Sequence, residues 1–277
     1  MAQAGAATGA PARLGDAMIG AGLLAAVANV LMQLAHPGVG YGVYESRVDS
    51  GNLFKHPVKR GRTTVTYLAV AALGTDEERA AYRRAVDVAH RRVRSTRTSP
   101  VSYTAFDPKL QLWVAACLYR GFEDVHRAFV GPLEGERAEE IYRDAAVLGT
   151  TLQVAEEMWP ADRAAFERYW NEALDEVSID DTVRRHLLDI VDLRFLPGIV
   201  SRTLGPFNRF VTTGFLPARF RQAMELDWTE RDRRRFATLL EATSKLVGLS
   251  PKPLREFPYN ACLADFRWRL RTGRPLV

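Results

Sequence analysis

Cysteine is scarce in this chain of 277 residues, which contains only Cys117 and Cys262. The two lie far apart in segments that look helical, and they form neither a disulfide framework nor a zinc ligand set. They are therefore predicted to be buried thiols of a protein in a reducing compartment. This favours a cytoplasmic location and argues against a small fold held together by disulfides.

Motifs that identify several common enzyme classes are missing as well. The sequence has no Gly-x-Ser-x-Gly, P-loop or Gly-x-Gly-x-x-Gly, which disfavours α/β-hydrolases, phosphate-binding folds and Rossmann dehydrogenases. A carboxylate-bridged di-iron bundle needs Glu-x-x-His twice. Glu123 and His126 supply it once, whereas His186 and Asp189 stand in the reverse order. A di-iron site is therefore not expected.

No long block of one charge sign occurs, and the net charge is only +5. The most highly charged run, residues 230–235, mixes acidic and basic side chains ahead of an apolar periodic stretch. Such mixing is typical of the solvated start of a helix. Because no nucleic-acid-binding motif accompanies it, nucleic acid is not expected as a partner.

An uncharged run covers residues 17–35 and approaches the length that crosses a bilayer. It is rich in Ala and Gly rather than Leu and Ile, it includes Asn29 and Gln33, and its flanks do not resemble a secretory signal. A buried helix that ends before Pro37 is favoured. A membrane-dipping anchor is the alternative, which keeps peripheral membrane contact open.

Apolar residues recur at helical spacing along most of the chain, and strand signals are sparse. Residues 1–12 are small and patternless and are predicted to be disordered, whereas residues 13–277 are predicted to form a single all-helical domain. Thr75 to Glu78 form a capping box ahead of one amphipathic helix. Further helices are predicted at about residues 17–35, 64–73, 107–126, 135–148, 160–174, 182–193, 217–224, 230–246 and 259–271.

His90 is the residue that most strongly indicates chemistry. It shares the predicted inner face of its helix with Val86 and Val93, and a neutral imidazole in that position can ligate a metal. Arg94 is predicted to follow one turn later on the same side. Upstream, residues 59–64 form a predicted basic, threonine-rich turn whose arginines can neutralise the carboxylates of a cofactor such as haem. The alternative is a histidine that only hydrogen-bonds within the core.

His36 also has two interpretations, because it directly follows an apolar helix and precedes a proline. It could line a cofactor pocket from the distal side, opposite the metal-ligating histidine. Alternatively, it hydrogen-bonds backbone carbonyls at the helix end, and this second interpretation is favoured.

Several short segments, taken in order, resemble one family. The segments are Gln33-Leu34-Ala35-His36-Pro37, Arg60-x-x-x-Thr64, Gly74, His90-x-x-Val93, Tyr103-Thr104-Ala105-Phe106-Asp107, Trp113-Val114, Leu216-Pro217 and Asp227-Trp228-Thr229. This order is similar to that of the bacterial and fungal family that includes the mpaB-type oxygenases and latex-clearing protein. The resemblance extends over about residues 18–270.

The resemblance implies an all-α, globin-reminiscent domain around a b-type haem. Within it, His90 matches the histidine that coordinates the iron, and Arg60 and Thr64 match an arginine and a threonine of the haem pocket. Arg94 corresponds to an arginine near the haem. The implied function is a haem-dependent oxygenase or peroxygenase that uses O2 or peroxide on an apolar or lipid-like small molecule.

The sequence departs from latex-clearing protein at Thr63, where that protein has a lysine able to cap the iron. The sixth iron position is therefore expected to be open, or filled by water or another side chain, and rubber cleavage is not implied. Thr64, His36 and Glu45 are the candidate catalytic residues, Glu45 only by its approximate position. Two alternatives are a non-enzymatic haem protein that stores haem or senses gas, and a helical scaffold in which His90 is structural.

Overall fold

The computed structural model describes residues 11–277. Within that range the protein is all-helical, as predicted, and its β pairing consists of one isolated antiparallel bridge between Arg94 and Thr104. The predicted disorder of residues 1–12 falls largely outside the described residues. At Ala12 the backbone N–H already donates to Glu140 Oε2, at 2.9 Å.

The helices follow one another with short connections. The α-helices are α1 (Ala26–Leu34), α2 (Pro37–Tyr44), α3 (Pro57–Leu73), α4 (Asp76–His90), α5 (Pro108–Phe129), α6 (Gly135–Asp144), α7 (Val147–Thr150), α8 (Arg163–Ala173), α9 (Asp181–Val191), α10 (Gly198–Phe215), α11 (Ala218–Ala223), α12 (Glu230–Leu249), α13 (Lys252–Arg255) and α14 (Tyr259–Thr272). Short 3-10 helices span Leu14–Ala17, Gly20–Ala25, Asp49–Gly51, Glu156–Met158 and Leu174–Glu176.

The uncharged run is not one helix. It begins as the 3-10 helix Gly20–Ala25, continues as α1, and is followed after a bend of 108° by α2. Only the bent pair taken together has the length and apolar composition of a membrane span; among the described residues no single helix does. The favoured prediction of burial holds for much of α1, where Ala28, Leu31 and Met32 are almost completely buried.

Helix α5 lies at the centre of the core and holds α1 against it. Asp107 caps its start, as its carboxylate accepts from the N–H groups of Lys109 and Leu110. The indole of Trp113 donates to the Gln33 carbonyl oxygen at 3.0 Å and stacks on Trp170 with ring centroids 5.3 Å apart. These contacts fix the end of α1, and with it the α1–α2 bend.

The Glu-x-x-His motif of α5 is structural. Glu123 is buried, and its carboxylate lies 2.9 Å from Arg120 and 2.5 Å from Arg163. His126 Nδ1 lies 2.7 Å from the carbonyl oxygen of Gly131, just beyond the helix. Residues 11–277 contain no cluster of three or more His, Cys, Asp or Glu side chains suited to a metal ion. The two cysteines are free, Cys117 buried and Cys262 half-buried.

Candidate functional site

The basic, threonine-rich segment predicted as a turn is the first part of α3, so that prediction is wrong. Pro57 occupies the first helical turn, where its missing N–H costs nothing. The hydroxyls of Thr63 and Thr64 both donate to the carbonyl oxygen of Arg60, at 3.0 Å each. Arg60 and Thr64 therefore lie one helical turn apart on one face, and Arg60 Nη1 donates to Thr64 Oγ1 at 3.1 Å.

Helix α4 begins as predicted and ends earlier than predicted. The capping box is present, because Thr75 Oγ1 accepts from the N–H of Glu78 and the Glu78 carboxylate accepts from the N–H of Thr75. The helix ends at His90, and the chain then becomes extended and pairs Arg94 with Thr104. Arg94 is thus not one helical turn beyond His90. It is exposed, on the segment that leaves the helix.

The imidazole of His90 is half-buried, and one of its two nitrogens is enclosed by protein without a hydrogen bond to any described residue. Its Nδ1 atom is buried and has no hydrogen-bond partner among the described residues. The ring of Phe106 meets the imidazole edge-on, with centroids 6.2 Å apart and an interplanar angle of 84°. Burial lowers the pKa of His90, Asp87 opposes the shift and Arg60 adds to it. The lowered pKa favours the neutral imidazole, which keeps a lone pair for a ligand.

Arg60 supplies positive charge near His90. Its side chain is accessible to solvent, yet its pKa is lowered, mainly by the protein that surrounds the guanidinium group. No carboxylate lies within ion-pair distance of Arg60 in the described part of the chain. The guanidinium is thus available to an external anionic group.

A network of buried amides supports the last turn of α4. Gln153 Nε2 donates to Asp87 Oδ1 at 2.6 Å, and the backbone N–H of Gln153 donates to Gln111 Oε1 at 2.8 Å. Gln111 Nε2 donates to the carbonyl oxygen of Ala105, next to Phe106, at 2.6 Å. The network therefore fixes both the turn that precedes His90 and the loop that places Phe106 against it. Sequence reasoning missed these glutamines; a polar residue in the apolar start of α5 was the only signal.

Glu45 is tied into the fold beside the segment that follows His90. It ends α2, and its Oε2 accepts from Ser99 Oγ and from the Tyr103 hydroxyl, both at 2.6 Å. Burial, together with the bond to Glu45, raises the pKa of Tyr103 to about 12. These bonds anchor the loop between α4 and α5. Both bonds use Oε2 of the carboxylate.

His36 occupies the junction of α1 and α2, with both ring nitrogens engaged. Nδ1 accepts from the backbone N–H of Gly38 at 3.2 Å, and Nε2 lies 3.0 Å from the Glu176 carboxylate. The hydrogen bonds are thus to a backbone N–H and a carboxylate, rather than to the backbone carbonyls that the favoured interpretation named. The structure brings His90, Arg60 and Thr64 together through α3 and α4 and leaves His36 as a helix cap.

Comparison with known proteins agrees with this geometry. The family described as "ER-bound oxygenase mpaB/B'/Rubber oxygenase, catalytic domain" matches residues 15–245. The chain belongs to this family. The match includes α3, α4 and the loop that carries Phe106, so every residue of the candidate site lies within an oxygenase catalytic domain, whereas α13 and α14 lie beyond it.

Two relatives of this mpaB/rubber-oxygenase family member cover nearly the whole chain. An uncharacterized protein of Mycobacterium bovis and one of Mycobacterium tuberculosis are each 56% identical to it over 255 residues, which is 92% of this chain and 100% of each relative. No solved structure matches the chain. The comparisons therefore establish the family and, at a coarse level, the oxygenase class.

Proposed function

We propose that this mpaB/rubber-oxygenase family member binds a b-type haem through His90 and oxidises an apolar or lipid-like small molecule with O2 or peroxide. The observation that carries the proposal is the half-buried imidazole of His90, whose buried Nδ1 has no partner in the described structure. Its pKa is lowered by burial and by the charge of Arg60, an arginine without an acidic partner among residues 11–277. The family is an oxygenase family, which supports the reaction class but names neither cofactor nor substrate for this chain.

The residues present fit a haem. A buried polar nitrogen without a hydrogen bond is costly, and a group bound at Nδ1 itself would remove that cost. A neutral imidazole is the axial donor of many haem proteins. The planar guanidinium of Arg60 suits bidentate binding of a carboxylate such as a haem propionate. The Thr64 hydroxyl, one turn away, can add a hydrogen bond.

Each of these side chains has a definable task. When bound, haem supplies an iron centre that activates O2 or peroxide. His90 would bind the group, while Phe106 and the Gln111–Gln153–Asp87 network keep the imidazole and its helical turn in place. Arg60 would neutralise a propionate. Thr63 has its hydroxyl committed to the Arg60 carbonyl oxygen at 3.0 Å, so it does not replace the lysine of latex-clearing protein as a ligand.

The decisive experiment is spectroscopy followed by turnover on one preparation. Protein expressed with the haem precursor 5-aminolaevulinate is expected to show a Soret band with stoichiometric haem. With a reductant and O2, or with peroxide, it is expected to form an oxygenated product from an apolar test substrate. A Soret band with CO binding but no product across a broad panel would favour the gas-binding alternative. Absence of a Soret band would leave only the structural interpretation of His90.

Arg60→Ala is expected to weaken haem retention without abolishing it, because the histidine ligand remains. Loss of one charge-assisted hydrogen-bonding group predicts roughly tenfold faster haem loss, measured as transfer to apomyoglobin. Arg62→Ala is the matched control, since Arg62 pairs with Asp265 of α14 at 3.3 Å. It should lose haem at the wild-type rate. Equal rates in the wild type and Arg60→Ala would remove Arg60 from the haem site.

A further inference from the structure

Large apolar side chains are exposed together at one end of α12 and α13. Leu246 is 67% exposed, Leu249 85%, Leu254 62% and Phe257 57%. All four fall within residues 245–257, here called the α12–α13 tip. This segment begins where the family match ends, at residue 245, so the oxygenase domain does not account for it.

The tip is well supported by the fold beneath it. Val247, between the exposed leucines, is buried in a cluster with Ile19, Val125 and Phe129. On the other side the backbone of Gly20 packs directly on the Phe257 carbonyl oxygen, which a Cβ at Gly20 would approach to 1.7 Å. The exposed leucines therefore lie on a segment that is packed firmly against the rest of the protein.

A second segment adds to the same surface. Residues i and i+3 of a 3-10 helix share one face, so Leu23 lies on the side of Gly20–Ala25 that faces the tip. Leu23 is itself 36% exposed. The apolar surface thus extends from the tip onto the N-terminal 3-10 helix.

Basic side chains are interleaved with the leucines. The tip carries Lys245, Lys252 and Arg255 and one acid, Glu256. Lys245 pairs with Glu241 of α12 at 2.8 Å, so the tip together with this partner has a net charge of three minus two, or +1. Arg255 forms no ion pair within residues 11–277, and Lys252 is paired only loosely with Glu256, at 3.6 Å. Long basic side chains can follow an apolar surface with their stems and place their charges at a polar boundary.

We propose that the α12–α13 tip docks this protein on the surface of an anionic lipid bilayer. Exposed leucines and a phenylalanine next to lysine and arginine are the combination that inserts into the boundary between headgroups and acyl chains. Anionic lipid attracts the net positive charge. A second copy of the chain fits less well, because it would bring the same positive charge to the interface. The proposal does not depend on haem binding.

Flotation with vesicles tests the proposal. The wild-type chain is expected to float with vesicles of phosphatidylcholine and phosphatidylglycerol, and less with phosphatidylcholine alone. Leu249→Asp with Leu254→Asp should lower the partition coefficient at least about tenfold, since both charges would enter the apolar boundary. The matched control is Ile199→Asp with Leu204→Asp on α10, where the side chains are 69% and 52% exposed. The control should float like the wild type.

A charge variant tests the contribution of the basic side chains independently of the leucines. Lys252→Glu with Arg255→Glu should weaken binding to the anionic vesicles by about fivefold or more per removed charge, with little change on phosphatidylcholine alone. No flotation of the wild type, or equal loss in the α10 control, would overturn the proposal. So would a wild-type dimer in sedimentation equilibrium that the tip variants convert to monomer, because the tip would then be a self-interface.

Discussion

His90→Ala is expected to abolish stoichiometric haem binding while leaving the helical content unchanged. The residue is the last of α4, so alanine there does not interrupt the helix. The buried Nδ1 has no protein partner in the described structure, so the substitution breaks no hydrogen bond of the imidazole there. The loss is therefore specific to a ligand. The measurement is the Soret absorbance per chain after reconstitution, with far-UV circular dichroism of the same sample.

A second histidine of similar burial provides the control for His90. His186 on α9 is half-buried, its pKa is also lowered by burial, and its ring contacts Tyr44 and Phe54 at centroid distances of 5.5 and 5.4 Å. His186→Ala should keep the wild-type spectrum. In His90→Gly, added imidazole should restore a Soret band by occupying the vacated space. A wild-type spectrum and haem affinity in His90→Ala would show that another residue binds the iron.

Glu123→Gln is expected to lower the free energy of unfolding by about 3 kcal/mol, because it removes a buried counter-charge from two partly buried guanidinium groups. The carboxylate is 3% exposed and is shared by Arg120 and Arg163. Arg120 also lies over the rings of Phe166 and Trp170, 5.2 and 5.1 Å from their centroids. The loss would therefore loosen the packing of α5 on α8. Urea unfolding of the apoprotein measures it.

Arg120 has a second acidic partner that serves as the control. Glu167 lies 2.7 Å from Arg120 but its side chain is 51% exposed, so water replaces the interaction when it is lost. Glu167→Gln should cost less than about 1 kcal/mol. Equal destabilisation by the two substitutions would mean that burial of Glu123 does not set the strength of its ion pairs.

Local signals predicted the starts of α4 and α5, although the first part of α3, which carries Arg60 and Thr64, was predicted as a turn. The capping box at Thr75 and the start of α5 at Asp107-Pro108 depend only on residues close together in the chain, and both are present in the structure. The same dependence on local signals explains why two helices, α2 and α10, were not predicted. α2 was missed because its glycines, such as Gly40, weaken helical propensity. In the structure the backbone at Gly40 lies so close to the Leu34 carbonyl oxygen that a Cβ at this position would be only 2.5 Å from it. α10 was missed because it contains Pro206.

The candidate site was only partly predictable. The inward position of His90 follows from helical periodicity, and its match to a haem ligand came from the family resemblance. The place of Arg94 did not follow, because periodicity cannot show that α4 ends at His90. The hydrogen bonds of Glu45 to Ser99 and Tyr103 could not be predicted either, nor could the contact of His36 with Glu176. These residues are far apart in the chain and are brought together by the packing of the helices.

The sequence alone determined the all-helical class, the amphipathic helix with His90 on its inner face, and the family. The first two depend on residues near one another in the chain, and the family depends on short motifs and their order along it. Tertiary structure decided which polar groups are satisfied. It left His90 Nδ1 buried without a partner in the described residues and Arg60 without an acid, while it committed His36, Glu45 and Glu123 to structural bonds. Hydrogen-bond satisfaction depends on distances between helices, and local sequence does not specify these distances.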